Sequence, residues 1–132
     1  MISVSGGHAT GTITFNTGTL SATNGTGLQF DNADGVYNFS GTTTLNGGDA
    51  GIDILNGSGG IFTFASGASI TNPSGIAFNI GGTANTAAIT YNGSITKNST
   101  NATVNITNHA TGGVIFQTGT ITATNGTGLQ FD

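Results

Sequence analysis

No cysteine, tryptophan, arginine or glutamate occurs among the 132 residues, and the only basic side chain is Lys97. Without cysteine the chain has no disulfides and no thiolate metal sites. Phosphate binding draws on clustered lysine and arginine. One lysine against Asp31, Asp34, Asp49, Asp53 and Asp132 therefore excludes nucleic acid as a partner and leaves nothing to hold an anionic membrane surface. No apolar run approaches the roughly 18 residues of a membrane span, so membrane insertion is not expected. Met1-Ile2-Ser3-Val4 also lacks the charged and apolar regions of a signal peptide.

Charged residues make up only 5% of the chain, yet hydrophobic residues make up 35%, and this separates it from disordered sequences, which combine few apolar residues with high net charge. Isoleucine, phenylalanine, valine and threonine favour strands, while no stretch carries a sustained helical period. The composition reads as all-β and ordered, and the length suits one domain.

Self-comparison gives the architecture. Thr17–Asp31, TGTLSATNGTGLQFD, returns as Thr118–Asp132, TGTITATNGTGLQFD, at an offset of 101 residues with only Leu20→Ile121 and Ser21→Thr122 changed. The likeness extends back to His8-Ala9-Thr10-Gly11 and His109-Ala110-Thr111-Gly112. Inside this long repeat lies a shorter one, marked by Phe15, Phe39, Phe64, Tyr91 and Phe116 at intervals of 24, 25, 27 and 25 residues. Repeats of this length are the signature of solenoids.

Each short repeat contains three alternating apolar segments separated by Gly, Asn, Ser and Asp turns. Three strands in about 25 residues cannot enclose a core of their own, so neighbouring repeats must stack at about 4.8 Å with alternate side chains inward. In the first strand the expected inward columns are Ile13/Tyr37/Phe62/Ile89/Val114 and Phe15/Phe39/Phe64/Tyr91/Phe116. The second strand gives Leu20/Leu45/Ile70/Ile95/Ile121. The third gives Leu28/Ile52/Ile76/Val104/Leu129 and Phe30/Ile54/Phe78/Ile106/Phe131, with Ile2 and Val4 as an earlier third-strand pair.

The sequence thus predicts a right-handed parallel β-helix with three strands per rung and about five rungs. The rungs fall near 13–35, 36–60, 61–88, 89–113 and 114–132, with 1–12 completing a preceding partial rung. Outward columns would set like charges one above another, and the low charge avoids that repulsion. Pro73, the only proline, is expected in a turn between second and third strands, where its missing N–H breaks no ladder.

Gly35–Gly60 (GVYNFSGTTTLNGGDAGIDILNGSGG), Thr63–Ile80 (TFASGASITNPSGIAFNI), Tyr91–Asn98 (YNGSITKN) and Ala22–Asp31 (ATNGTGLQFD) carry a family likeness. They resemble the β-strand-repeat segments of very large bacterial surface and secreted proteins, the adhesin-like or filamentous-haemagglutinin-like class. The resemblance implies an extracellular stalk or adhesive filament, secreted or at the cell surface, with its export signal outside this segment. It supplies no binding residue.

Several side-chain patterns point to particular chemistries. Thr19/Thr44/Ser69/Ser94/Thr120 and Ser21/Asn46/Thr71/Thr96/Thr122 are expected to form an outward hydroxyl array beside the second-strand core column, suited to ice or to a surface glycan. The plain alternative is that Thr and Ser suit exposed strands. Asp31 and Asp53 are expected roughly 8 Å apart, within the roughly 6.5–9.5 Å of an inverting polysaccharide hydrolase or lyase. No arginine, glutamate or tryptophan platform accompanies them, so turn and surface aspartates are the better reading and no enzyme is expected.

His8 and His109 occupy one repeat position roughly 19 Å apart, too far to share a metal. Asn46-Gly47-Gly48-Asp49 resembles a calcium β-roll turn, but its aspartate does not recur from rung to rung. Neither a metal nor another cofactor is expected. The N-x-S/T tripeptides at Asn24, Asn38, Asn56, Asn92, Asn98, Asn101, Asn105 and Asn125 follow from composition.

Both ends lack a polar cap, and exposed end rungs are expected to stack head to tail on further copies. The function expected from sequence is a structural repeat segment prone to end-to-end self-assembly.

Overall fold

The structure is a computed structural model that describes residues 1–6, 8–49 and 51–132. Its strands are β1 Ile2–Ser5, β2 Thr12–Phe15, β3 Thr19–Thr23, β4 Leu28–Asp31, β5 Val36–Phe39, β6 Thr42–Asn46, β7 Ile52–Leu55 and β8 Ile61–Phe64, then β9 Ala68–Thr71, β10 Phe78–Gly81, β11 Ala88–Tyr91, β12 Ser94–Asn98, β13 Val104–Ile106, β14 Val114–Phe116, β15 Ile121–Asn125 and β16 Leu129–Phe131. Among the described residues there is no helix.

Every third strand belongs to the same sheet, and all pairings are parallel. Sheet A runs β1-β4-β7-β10-β13-β16, sheet B runs β2-β5-β8-β11-β14 and sheet C runs β3-β6-β9-β12-β15. The chain is therefore a parallel β-solenoid of five three-stranded rungs, preceded by the single strand β1. Alternation along each strand produces it: in β6 and β12 every second side chain is buried.

The first-strand columns are those the repeat predicts, residue for residue. Their rings stack along the axis: Phe15 on Phe39 at 5.2 Å, Phe39 on Phe64 at 4.8 Å and Tyr37 on Phe62 at 4.7 Å, all near-parallel. Phe30 and Phe78 reach across from sheet A and meet these stacks edge-on.

Two expected registers are corrected. Leu20 does not lie on Leu45. It pairs with Thr43, and Leu45 pairs with Ala22, so the core column is Ala22/Leu45/Ile70/Ile95/Ile121. The cause is a close backbone approach at the strand entry. The Thr42 N–H donates to Gly18 O at 2.9 Å, and a Cβ on Gly41 would lie 2.5 Å from that oxygen. Two strands that start in step at their glycines carry Leu20 onto Thr43.

The second correction concerns the third strand. Phe78 pairs with Ile52 and Ile80 with Ile54, so Phe78 and Ile80 occupy the columns expected for Ile76 and Phe78. Here Gly51 and Ala77 set the register. The Ile52 N–H donates to Ala77 O, and a Cβ on Gly51 would meet that oxygen at 2.1 Å. Ile76 is left in the turn, half-buried.

The corners are turned by residues with positive φ. Asn24, Asn32, Asn56, Asn72 and Asn108 all adopt φ between 48° and 57°, a conformation that asparagine tolerates better than most residues. The asparagine-rich composition is in part a consequence of the corners.

Candidate functional site on the outer faces

Three outer faces and three corners carry the polar side chains. On sheet A, register places Ser3, Gln29, Asp53, Asn79, Asn105 and Gln130 in one outward column. Gln29 Nε2 donates to Asp53 Oδ2 at 2.7 Å and Asn79 Nδ2 to Asp53 Oδ1 at 3.0 Å, while Asn105 Nδ2 donates to Asn79 Oδ1 at 2.9 Å. Both Asp53 carboxylate oxygens are thus engaged by amides of adjacent rungs. Asp31 pairs with Leu55, in the neighbouring outward column. The two aspartates share a sheet, and Asp53 serves as the acceptor of an amide ladder.

The threonines and serines of the second strands lie on sheet C, with a register at the first rung that differs from the expected one. Ser21/Thr44/Ser69/Ser94 and Thr23/Asn46/Thr71/Thr96/Thr122 are in register, and Thr19 pairs with Thr42. Thr120 is tied to Ser94, whose Oγ accepts the Thr120 N–H at 3.2 Å. Thr19 and Ser21 therefore belong one column away from the places assigned by sequence, and Thr23 completes the second column. This follows from the same glycine step that moved Leu20. Ser94, Thr96, Thr120 and Thr122 are exposed, whereas Thr44, Ser69 and Thr71 are half-buried between their neighbours.

The outer face of sheet B differs. Val36, Ile61 and Ala88 form an apolar column beside Asn38, Thr63 and Thr90, and Ile61 is well exposed.

Lys97, the single basic side chain, lies inside the solenoid. It follows Thr96 in β12 and pairs with Ala123, and its side chain is fully buried. The ammonium donates to Pro73 O at 2.8 Å, to Ser99 Oγ at 2.6 Å and to Gly75 O. Removal from water lowers its pKa from the ordinary lysine value. The signal in the sequence was positional: Ile95 and Lys97 are two apart on one strand, so an inward Ile95 demands an inward Lys97.

A second buried polar cluster fills the corner between sheets A and B. Ser58 Oγ accepts the Ala33 N–H at 3.0 Å and donates to Leu55 O at 2.7 Å. Asn85 Oδ1 accepts the Ser58 N–H at 3.0 Å while its Nδ2 donates to Gly81 O at 2.8 Å. Side chains supply the hydrogen bonds that the ladder cannot supply where the chain turns.

The histidines do not share an environment. His8 Nδ1 lies 2.7 Å from the Tyr37 hydroxyl, and the two rings pack at 5.3 Å. His109 Nε2 lies 3.2 Å from Gly112 O, beside an open depression lined by Ala84, Asn108, Ala110 and Asp132. Asp49, in the turn compared with calcium β-rolls, donates its N–H to Gly25 O. Among the described residues no group of three His, Asp or Glu side chains is placed to hold a metal ion.

The fold and these surfaces define a parallel β-solenoid with polar outer ladders, its corners hydrogen-bonded in part and leaving Asn92 Oδ1, Thr103 Oγ1 and His109 Nδ1 buried without a partner. No family model, no curated protein and no solved structure matches this chain.

Proposed function

We propose that this chain is a non-catalytic structural segment, a rigid spacer in a secreted or cell-surface protein of the adhesin-like kind. The observation that carries the reading is the coincidence of the 101-residue sequence repeat with unslipped stacking on two sheets. Leu129 returns to the column of Leu28, and Phe116 to that of Phe15. A unit that rejoins its columns on two of its three sheets can be repeated, and its length grows with copy number. Outer columns of amides and hydroxyls let rungs stack without charge repulsion. Further copies of the same repeat are the partners this reading assigns to it.

Chains carrying one, two and three additional 101-residue units test this by small-angle scattering. The expected result is a rod whose maximum dimension rises by about 19 Å per unit, four rungs at about 4.8 Å. A particle that stays compact or flexes between units would overturn the reading.

The sheet C face favours a second reading. Its in-register columns of hydroxyls, interrupted at Asn46 and spaced at about 4.8 Å along the axis, form a regular array of the kind that orders water into an ice-like layer. Thermal hysteresis and faceted ice growth that disappear in Thr96→Lys would support it. Neither effect in the parent chain would remove it.

A further inference from the structure

Asparagine followed by glycine occurs five times, at Asn24, Asn46, Asn56, Asn92 and Asn125. Asparagine is chemically labile, and a following glycine puts no side chain in the way of its own main-chain nitrogen. That nitrogen can attack the asparagine Cγ. The sequence ranks the five pairs equally, but the fold does not.

Four of the pairs are held. The Gly47 N–H donates to Thr71 O at 2.7 Å, so the nitrogen that would attack Asn46 is engaged. Gly25 is pinned to the next rung: its carbonyl accepts the Asp49 N–H at 3.1 Å, and its nitrogen would lie 2.7 Å from a Cβ on Gly48. Asn92 is half-buried with its Oδ1 enclosed, and Gly93 is packed so closely that an added Cβ would meet Ala68 O at 2.1 Å. The Asn125 amide donates to Asn98 Oδ1, and Gly126 packs against Ser99 O and Thr100 O.

Asn56 and Gly57 differ. They form the apex of a tight turn between β7 and β8, with φ of 55° and 83°, the positive pair that marks a type I′ turn. The base of the turn is closed by the Ser58 N–H on Leu55 O at 3.3 Å and by the Ser58 hydroxyl on the same oxygen at 2.7 Å. Among the described residues neither the N–H nor the carbonyl of Gly57 makes a backbone hydrogen bond. The atom nearest to a Cβ on Gly57 would be 3.6 Å away, and Asn56 is exposed. The Asn56 side-chain oxygen rests over Gly82 much as that of Asn24 rests over Gly47. The distinction therefore lies in the glycine that follows.

We propose that Asn56 is the site at which the folded solenoid modifies itself by deamidation, and that the isoaspartyl product loosens the corner between sheets A and B. The Gly57 nitrogen bonds to Asn56 Cγ and gives up its proton, the Cγ–N bond of the carboxamide breaks, and ammonia leaves. Water then opens the five-membered imide. Attack at Cγ gives aspartate with the main chain unchanged. Attack at the Asn56 main-chain carbonyl gives isoaspartate, in which the chain runs through the side chain and is one methylene longer. That extra methylene falls between Leu55 and Ser58, which the turn holds together. Ser58 is fully buried and ties the Ala33 N–H and Leu55 O to Asn85. A longer turn pulls on this cluster, whereas aspartate at position 56 does not. None of this depends on the spacer reading.

Peptide-resolved mass spectrometry of the full chain, aged in mildly alkaline buffer with and without urea, tests the site and needs no variant. In the folded chain Asn56 should convert at least fivefold faster than Asn24, Asn46 and Asn92. In urea the four rates should converge. Folded-state conversion of any of those three as fast as Asn56 overturns the site, and rates that keep the same inequality in urea overturn its structural cause. Asn56→Asp supplies the normally linked product alone and should melt with the parent chain, because aspartate tolerates positive φ. The aged fraction rich in isoaspartate should melt below Asn56→Asp. Equal melting of the two overturns the loosening of the corner.

Discussion

The Lys97 ammonium donates to the carbonyl oxygen of Pro73 at 2.8 Å, so the only basic side chain of the protein is spent on the turn that holds its only proline. In the three earlier rungs the equivalent corner is turned by Asn24, Gly47 and Asn72 with positive φ. In the fourth rung β12 continues instead, and its inward lysine reaches the turn one rung earlier.

Lys97→Ala removes a buried stem and leaves the Pro73 and Gly75 carbonyls without their donor. The expected loss is about 3 kcal/mol, read as a shift in the urea midpoint at unchanged slope. Lys97→Met keeps the stem and should lose about half as much.

Alkaline pH should destabilise the fold through its tyrosines. Burial raises the pKa of both Tyr37 and Tyr91 above the ordinary value of 10.0. Above that value the unfolded chain loses phenolic protons that the folded chain keeps, so stability falls as pH rises past about 10. Lys97 acts in the opposite sense. Its lowered pKa means that the folded chain sheds its proton before the unfolded one does, which adds stability with rising pH up to the ordinary value of 10.5. Two tyrosines against one lysine should leave a net fall above pH 10. Tyr91→Phe should make that fall shallower in thermal melts taken across the range.

Phe30 and Phe131 are one repeat position in two environments. Phe30→Ala should cost about 3–5 kcal/mol, as for a buried aromatic. Phe131→Ala should cost less than about 1 kcal/mol, because its ring is largely in solvent. Paired urea titrations compare the two directly, and equal losses would contradict the open C-terminal face.

Beside the main core column of sheet C, Leu20 faces Thr43 and Thr43 faces Ala68, and Gly93 then lies against Ala68. The side chains shrink along this line until the backbones touch. A Cβ on Gly93 would lie 2.7 Å from the Ala68 Cβ and 2.1 Å from its oxygen. Gly93→Ala should destabilise by about 1–3 kcal/mol, the usual cost of overpacking, seen as a lowered melting temperature without loss of strand signal.

Asp53→Ala should cost about 1 kcal/mol, since it frees the amides of Gln29 and Asn79 to solvent rather than burying them. Chemical denaturation measures it, and a loss above about 3 kcal/mol would mean that the ladder does more than stack.

Most of the solenoid is legible in the sequence because stacking imposes a period. Residues such as Phe15, Phe39 and Phe64 must be alike if they touch, and the 101-residue duplication returns to its own columns on sheets A and B. The second-strand register was not legible, because Leu20 and Leu45 look like partners by hydrophobicity. The deciding contact is between the backbones at Gly18 and Gly41, and a glycine shows nothing in sequence of the atom it must admit. Ile76 misled for the same reason, since Gly51 and Ala77 set its strand.

Lys97 marks the same boundary. The alternation that buries Ile95 is readable, yet composition treats a lysine as solvent-facing, and it takes the Pro73 and Gly75 carbonyls together with Ser99 Oγ to let one be buried. By itself the sequence determined the strand order, the rung length and the first-strand aromatic columns, because these follow from a local period of two and a repeat of about 25 residues. The tertiary structure alone decided the lateral register of sheet C, the lysine in the corner and the unequal ends. Those depend on backbone approach, on carbonyls many residues away and on where β1 finds its one neighbour.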